Sequence, residues 1–274
     1  MFSALLAVAA AVSMQPTGPD DTIVVTGRRA LDEAKALKAV NAVSSSSELQ
    51  LARFHDPVCP LVVGLSKEEG AQVEAQISDI ARQVGARSAA AKCTANLIVM
   101  VAGDGKAMFA DIRRNRPEWV TGLSHDKVQA IAKQTGPVRA WSVTSIRNED
   151  GMIVTPSADG AGPGTMRVQS ASIIRQPTRQ QLDGSVIIIE QRALNGRTLG
   201  EIAHYSAMRG LAMTRPPAEG QVGTVLSMFA STSAPRAMTS FDLGYLTTLY
   251  AGDGRATGVQ ERSRMARNIA SGGR

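Results

Sequence analysis

PLVVGLSKEEGAQVEAQISDIARQVG, residues 60–85, is the stretch on which the fold turns. Pro60 to Leu65 is a short apolar run that suits a strand. Ser66 with Glu69 three residues on is a capping box: the hydroxyl takes the Glu69 N–H and the carboxylate reaches back to the Ser66 N–H. Val73, Ile77, Ile80, Ala81 and Val84 then recur at helical spacing and give that helix one apolar face. Gly85 ends it, since glycine enters the left-handed region without strain. Next, ANLIVMV (95–101) is apolar without alternation, as a strand covered on both faces must be. Strand, helix and strand in that order predict a parallel pair with the helix laid across it.

Outward from this unit the pattern continues. Gly103-Asp104-Gly105 turns into a helix bearing Met108, Phe109 and Ile112, stopped near Pro117. A further helix starts at Ser124 and breaks at Gly136-Pro137. Val138 to Arg147 is a strand with a buried Trp141, and Asn148 to Gly151 turns it into Met152-Ile153-Val154. After the Gly/Pro-rich loop 157–164, strands near Met166–Ile174 and Ser185–Ile189 form a second hairpin. From Thr198 on the chain is helical, ending in an amphipathic basic helix, Val259 to Ala270, packed on the domain or lying on an anionic surface. The expectation is one mixed α/β (α+β) domain over residues 48–270, with a βαβα N-terminal part, β-hairpins in the middle and a helical C-terminal part.

The N-terminal residues point to export. The apolar run Phe2–Met14 is too short to span a bilayer and suits a secretory signal, with small residues placed for cleavage after Ser13. Residues 1–13 are thus expected to be a signal peptide, with no transmembrane segment beyond it, and residues 14–47 a flexible segment of helical composition over 30–43. Cys59 and Cys93 flank one predicted helix, so in an oxidising periplasm they can pair and stabilise by roughly 3 kcal/mol. The expected location is periplasmic or secreted.

Composition excludes several functions. With 20% charged residues and 43% apolar ones, the chain is an ordinary globular one. Its net charge of +6 is spread along the sequence, without an aromatic-interleaved basic patch, so no nucleic acid is expected as partner. No GxSxG elbow, P-loop spacing or CxxC pair exists, which leaves serine hydrolysis, nucleotide binding and thiol redox chemistry unsupported. Lys106 beside a strand–helix turn and the cluster Arg113, Arg114 and Arg116 are a candidate anion site.

Chemistry-bearing residues gather in GRTLGEIAHYSAMRGLA, residues 196–212. Gly200-Glu201-Ile202-Ala203-His204 has the spacing of HExxH, in which two histidines one turn apart hold zinc and the glutamate is the base. Here glycine takes the place of the first histidine. Thr198 with Glu201 is equally a capping box, and Thr239 with Asp242 is another. The candidate set is therefore Glu201 as base with His204 and Asp242 as metal ligands, or two helix caps with no cofactor.

Five segments in order carry a resemblance: ANLIVMV, FADIRRNRPEWV, GPVRAWSV, LGEIAHYSAMRGLA and MTSFDLGYLTTLYAG. Together they resemble a group of secreted proteobacterial proteins without an assigned function. The last two are similar to a larger domain related to zincin-like peptidases, often with eroded metal motifs. That resemblance implies the glutamate role for Glu201, the aspartate role for Asp242, and no counterpart for the first histidine. Thr22 to Arg29 resembles the TonB box of outer-membrane receptors, an extended segment bound by strand addition. Three functions follow as expectations: a non-catalytic exported protein binding an envelope component or a protein partner; a zinc-dependent metallohydrolase using Glu201 and His204; or a TonB-linked accessory protein acting through residues 22–27.

Overall fold

A computed structural model describes residues 32–44, 50–90, 92–154, 175–218 and 220–272. The expected signal peptide (1–13), the TonB-box-like segment, the loop 157–164 and the strand Met166–Ile174 lie outside the described residues. In chain order the elements are α1 (Glu33–Val43), β1 (Pro60–Val63), α2 (Lys67–Gln83), β2 (Leu97–Ala102), α3 (Gly105–Asn115), α4 (His125–Lys133), β3 (Val138–Arg147), β4 (Arg179–Glu190), α5 (Leu199–Gly210), α6 (Ser240–Ala251) and α7 (Gly258–Ala270). The protein is an α+β fold built on a four-stranded mixed sheet.

The expected parallel unit is present. The Ser66–Glu69 capping box starts α2, and Gly85 sits at φ 88° just beyond its end. β1 pairs parallel to β2, Pro60 opposite Leu97 and Val63 opposite Met100. The Cys59–Cys93 disulfide joins the approaches to these two strands, with Cα atoms 6.1 Å apart.

β4 differs from expectation in length and in partner. It begins at Arg179 and lies inside the sheet, in the order β1-β2-β4-β3, parallel to β2 and antiparallel to β3. Its run Val186–Ile189 is buried on both faces because a core lies on each side of the sheet there. The hairpin turn at Asn148–Gly151 forms, and among the described residues an Arg147–Ile153 bridge, with Val154 N donating to the Ile146 carbonyl at 2.8 Å, pairs back onto β3.

Alternation along the central strands divides the core in two. Leu97, Val99, Ile187 and Ile189 face the core shared with α2, α5 and α6. Ile98, Met100, Val186 and Ile188 face a smaller core with Phe109, Ile112, Ile131 and Trp141 from α3, α4 and β3. Each fully buried Val, Leu or Ile contributes roughly 1.5–3 kcal/mol of transfer free energy. On the larger side α5 approaches very closely at Gly210, where an added Cβ would stand 2.8 Å from Leu97 Cδ1.

Two N- and C-terminal expectations resolve together. Part of the segment expected to be flexible is helix: α1 buries Ala36, Ala39, Val40 and Val43 and packs against α7. The basic helix α7 in turn buries Met265 and Ala266, so of its two readings the packed one holds. Among the described residues no helix is long and apolar enough to cross a membrane.

Candidate functional site

Both acids of the sequence-derived site are built as helix caps. Thr198 accepts the Glu201 N–H at 3.3 Å and Glu201 Oε2 accepts the Thr198 N–H at 2.9 Å. The same carboxylate is paired with Arg236, whose Nη2 lies 3.0 Å from Oε2 and also donates to the Gly196 carbonyl at 2.7 Å. Burial pushes the Glu201 pKa up, but Arg236 and the Thr198 N–H outweigh it and hold the carboxylate below its ordinary range. A general base works best with a pKa near the operating pH, so this environment makes Glu201 a weak one.

Asp242 is wholly buried. Its Oδ2 accepts from Val225 N at 3.0 Å, Thr239 N at 2.8 Å and Thr239 Oγ1 at 3.0 Å, and Oδ1 accepts from Thr224 Oγ1. One side chain thus caps α6 and ties it to the turn at Val225–Ser227. Burial raises its pKa against the pull of these donors. His204, half-buried on α5, accepts from Met238 N at 3.4 Å. Burial lowers its pKa, and the Asp242 charge only partly offsets this.

The connection 236–242 touches each of these residues separately: Arg236 pairs with Glu201, Met238 N donates to His204, and Thr239 N donates to Asp242. The donor set there does not fit zinc. Oδ2 of Asp242 already accepts three hydrogen bonds and Glu201 neutralises an arginine, whereas catalytic zinc takes three protein ligands. Gly200, in the place of the missing histidine, faces Gln76 of α2, 3.4 Å from where a Cβ would lie. Among the described residues no group of three or more His, Cys, Asp or Glu is placed to hold a metal ion. What the arrangement does is lock a connection onto a helix.

The candidate anion residues fall into two groups. Lys106 lies in the first turn of α3 and Arg113, Arg114 and Arg116 at its other end, roughly 10 Å away along the axis at 1.5 Å per residue. Arg116 lies over the Trp119 ring, 6.0 Å from its centroid, and 3.8 Å from Glu118. The N-terminus of α3 is occupied from within: Glu190, the last residue of β4, accepts from Gly105 N at 3.4 Å, Arg139 Nη1 at 3.3 Å and Arg192 Nε at 2.8 Å. A Cβ at position 105 would lie 2.8 Å from Arg139 Nη1, so glycine is what admits this buried pair.

Sequence reasoning missed a different feature. A cavity of about 190 Å³ opens between α4, the outer side of β3 and the end of α5. Ile131, Ala140, Trp141 and Met213 form apolar walls; among the described residues the lining carries two cations, Lys127 and Arg209, and no acid. Arg209 is largely buried, and its Nε is shielded from solvent without a hydrogen-bond partner. Burial lowers its pKa, and the neighbouring Tyr205 hydroxyl, with which it hydrogen-bonds, partly offsets that. The available signal was an arginine one turn after Tyr205 in an otherwise apolar stretch, YSAMRGLA (205–212).

Compared with protein-family models, curated proteins and solved structures, this chain matches none.

Proposed function

We propose that this chain is an exported protein of the periplasm or extracellular space that works by binding an envelope component or a protein partner, without hydrolysis at its GEIAH helix. The observation that carries this reading is the commitment of both acids: Glu201 closes a capping box and pairs with Arg236, and Asp242 accepts four hydrogen bonds. A relationship to zincin-like proteins then amounts to an inherited helix pair whose acids serve as caps. The Cys59–Cys93 disulfide supports an oxidising compartment, since such bonds are rare in a reducing cytosol.

Two measurements on protein from the periplasmic fraction test the reading. Intact-mass analysis should find an N-terminus near Met14 and the disulfide formed; an intact Met1 with free thiols, recovered from the cytoplasm, would remove the export half. Elemental analysis should find no stoichiometric zinc. One zinc per chain, lost in His204→Ala, would instead establish the hydrolase.

A further inference from the structure

Arg209, half-buried, differs from the buried Arg53 and Arg139 in how its charge is met. Arg139 has Glu190 at 3.3 Å, and Arg53 gives Nη1 to the Leu249 carbonyl at 2.7 Å while lying over the Tyr250 ring. Among the described residues no carboxylate lies beside Arg209, whose charge interacts with the neutral Tyr205 hydroxyl; its Nε, like those of Arg53 and Arg139, finds no acceptor. An uncompensated charge in a low-dielectric site is expensive and is ordinarily paired. Here it lies on the wall of a cavity.

We infer that the cleft between α4, β3 and the end of α5 is a binding site for a small organic acid, a carboxylate carried on a compact apolar body, with Arg209 taking the carboxylate. The planar guanidinium presents donors in a fork that matches a carboxylate and is only weakly hydrated, so it suits a partly desolvated site. Lys127 adds a second cation to the lining, whose hydroxyls are engaged within the protein. Ser142 is engaged with Ser185 at 3.0 Å, and Thr214 donates to the Met208 carbonyl at 2.8 Å. The ligand body therefore meets Ile131, Ala140, Trp141 and Met213, which rules against a bare inorganic anion. A volume of about 190 Å³ is below the roughly 300–1,000 Å³ of drug-sized sites, so the body is short. Trp141 is held in place by its Nε1 donating to the Trp119 carbonyl at 2.9 Å and by edge contact with Phe109 at 5.1 Å, so this wall is preformed. The proposal rests on the binding-protein reading and narrows its ligand; metal content and export are unaffected by its outcome.

The chain has two tryptophans, so Trp119→Phe leaves Trp141 as the sole reporter inside the cleft. The experiment titrates the purified mature chain in that background with hexanoate, hexanol and inorganic phosphate, following Trp141 emission and confirming by calorimetry. Hexanoate should saturate, and bind at least about 10-fold more tightly than hexanol or phosphate, as one bidentate charge-assisted contact requires. Arg209→Met should abolish that preference. Ala130→Leu, at an exposed position of α4 on the cleft lining, should block the space without entering either core, and serves as the control on folding. Equal affinity for hexanoate and hexanol, absence of saturable hexanoate binding, or unchanged hexanoate affinity in folded Arg209→Met or Ala130→Leu would each overturn the proposal.

Discussion

Replacing Asp242 separates a structural acid from a catalytic one. In Asp242→Ala the buried Thr224 hydroxyl and Val225 N–H lose their acceptor, at about 1–3 kcal/mol each, and α6 loses its cap partner, at about 0.5–2 kcal/mol. Thr239 is half-buried, so water recovers part of its loss, and the expected total is about 4 kcal/mol. In Asp242→Asn the amide oxygen can replace Oδ2 for Val225 and Thr239, and the amide N–H can donate to Thr224 Oγ1. The hydroxyl proton of Thr224 is then left over, at about 1 kcal/mol, against the relief of removing a buried charge. Asn should therefore lie within about 1.5 kcal/mol of the parent and at least about 2 kcal/mol above Ala.

The pH dependence adds a second readout from the same pair. Because burial raises the folded-state pKa of Asp242, its contribution favours folding at low pH. That contribution is lost as pH rises from the ordinary carboxylate value to the raised one. The stability of Asp242→Asn relative to the parent should thus improve across that window and stay flat above it. Urea unfolding followed by circular dichroism at several pH values measures both effects. Asn costing as much as Ala, or Ala costing under about 1 kcal/mol, would refute the reasoning.

Three further outcomes are expected. Glu201→Gln should keep the reciprocal cap while Glu201→Ala loses about 0.5–2 kcal/mol; since the folded pKa of Glu201 lies below the ordinary range, the parent's share is present above that range and fades as pH falls through it, which acid titration of stability in both variants measures. Replacing both Cys59 and Cys93 by serine, across their separation of 34 residues, should lower urea stability by roughly 3–4 kcal/mol in the loop-entropy account. Gly210→Ala should cost about 1–3 kcal/mol in thermal unfolding, because its methyl group would meet Leu97 Cδ1 at 2.8 Å and Ile187 Cδ1 at 3.2 Å in a packed core.

What could be read from the sequence was local. The three capping boxes at Ser66, Thr198 and Thr239 were legible because each is fixed by residues three apart, and all three form. The β1–α2–β2 unit was legible because its two periods, 3.6 and a continuous apolar run, are both short-range. Strand partnership was not: the run Val186–Ile189 says that β4 is covered on both faces, not which strands pair along its edges, and the register shift at Val143/Thr144 breaks its alternation with β3. Which charges share a place was not legible either, since Lys106 and Arg113 are close in sequence yet stand at opposite ends of one helix. Arg209 was hidden because its neighbours across the cleft, Ile131 and Trp141, come from two other elements.

The interior position of β4 also constrains how the chain can reach this structure. β2 pairs on one side with β1, a few turns of helix upstream, but on the other with residues 185–190, far downstream. Until those residues are available, the side of Leu97–Ala102 that faces β4 is an open edge on an all-apolar strand, held beside β1 by the disulfide link. Open apolar edges recruit other chains, and pairings this distant in sequence close slowly. Fragments ending before Arg179 should therefore associate rather than fold. In a cell the late arrival of β4 makes early protection of β2 from self-association a requirement of folding.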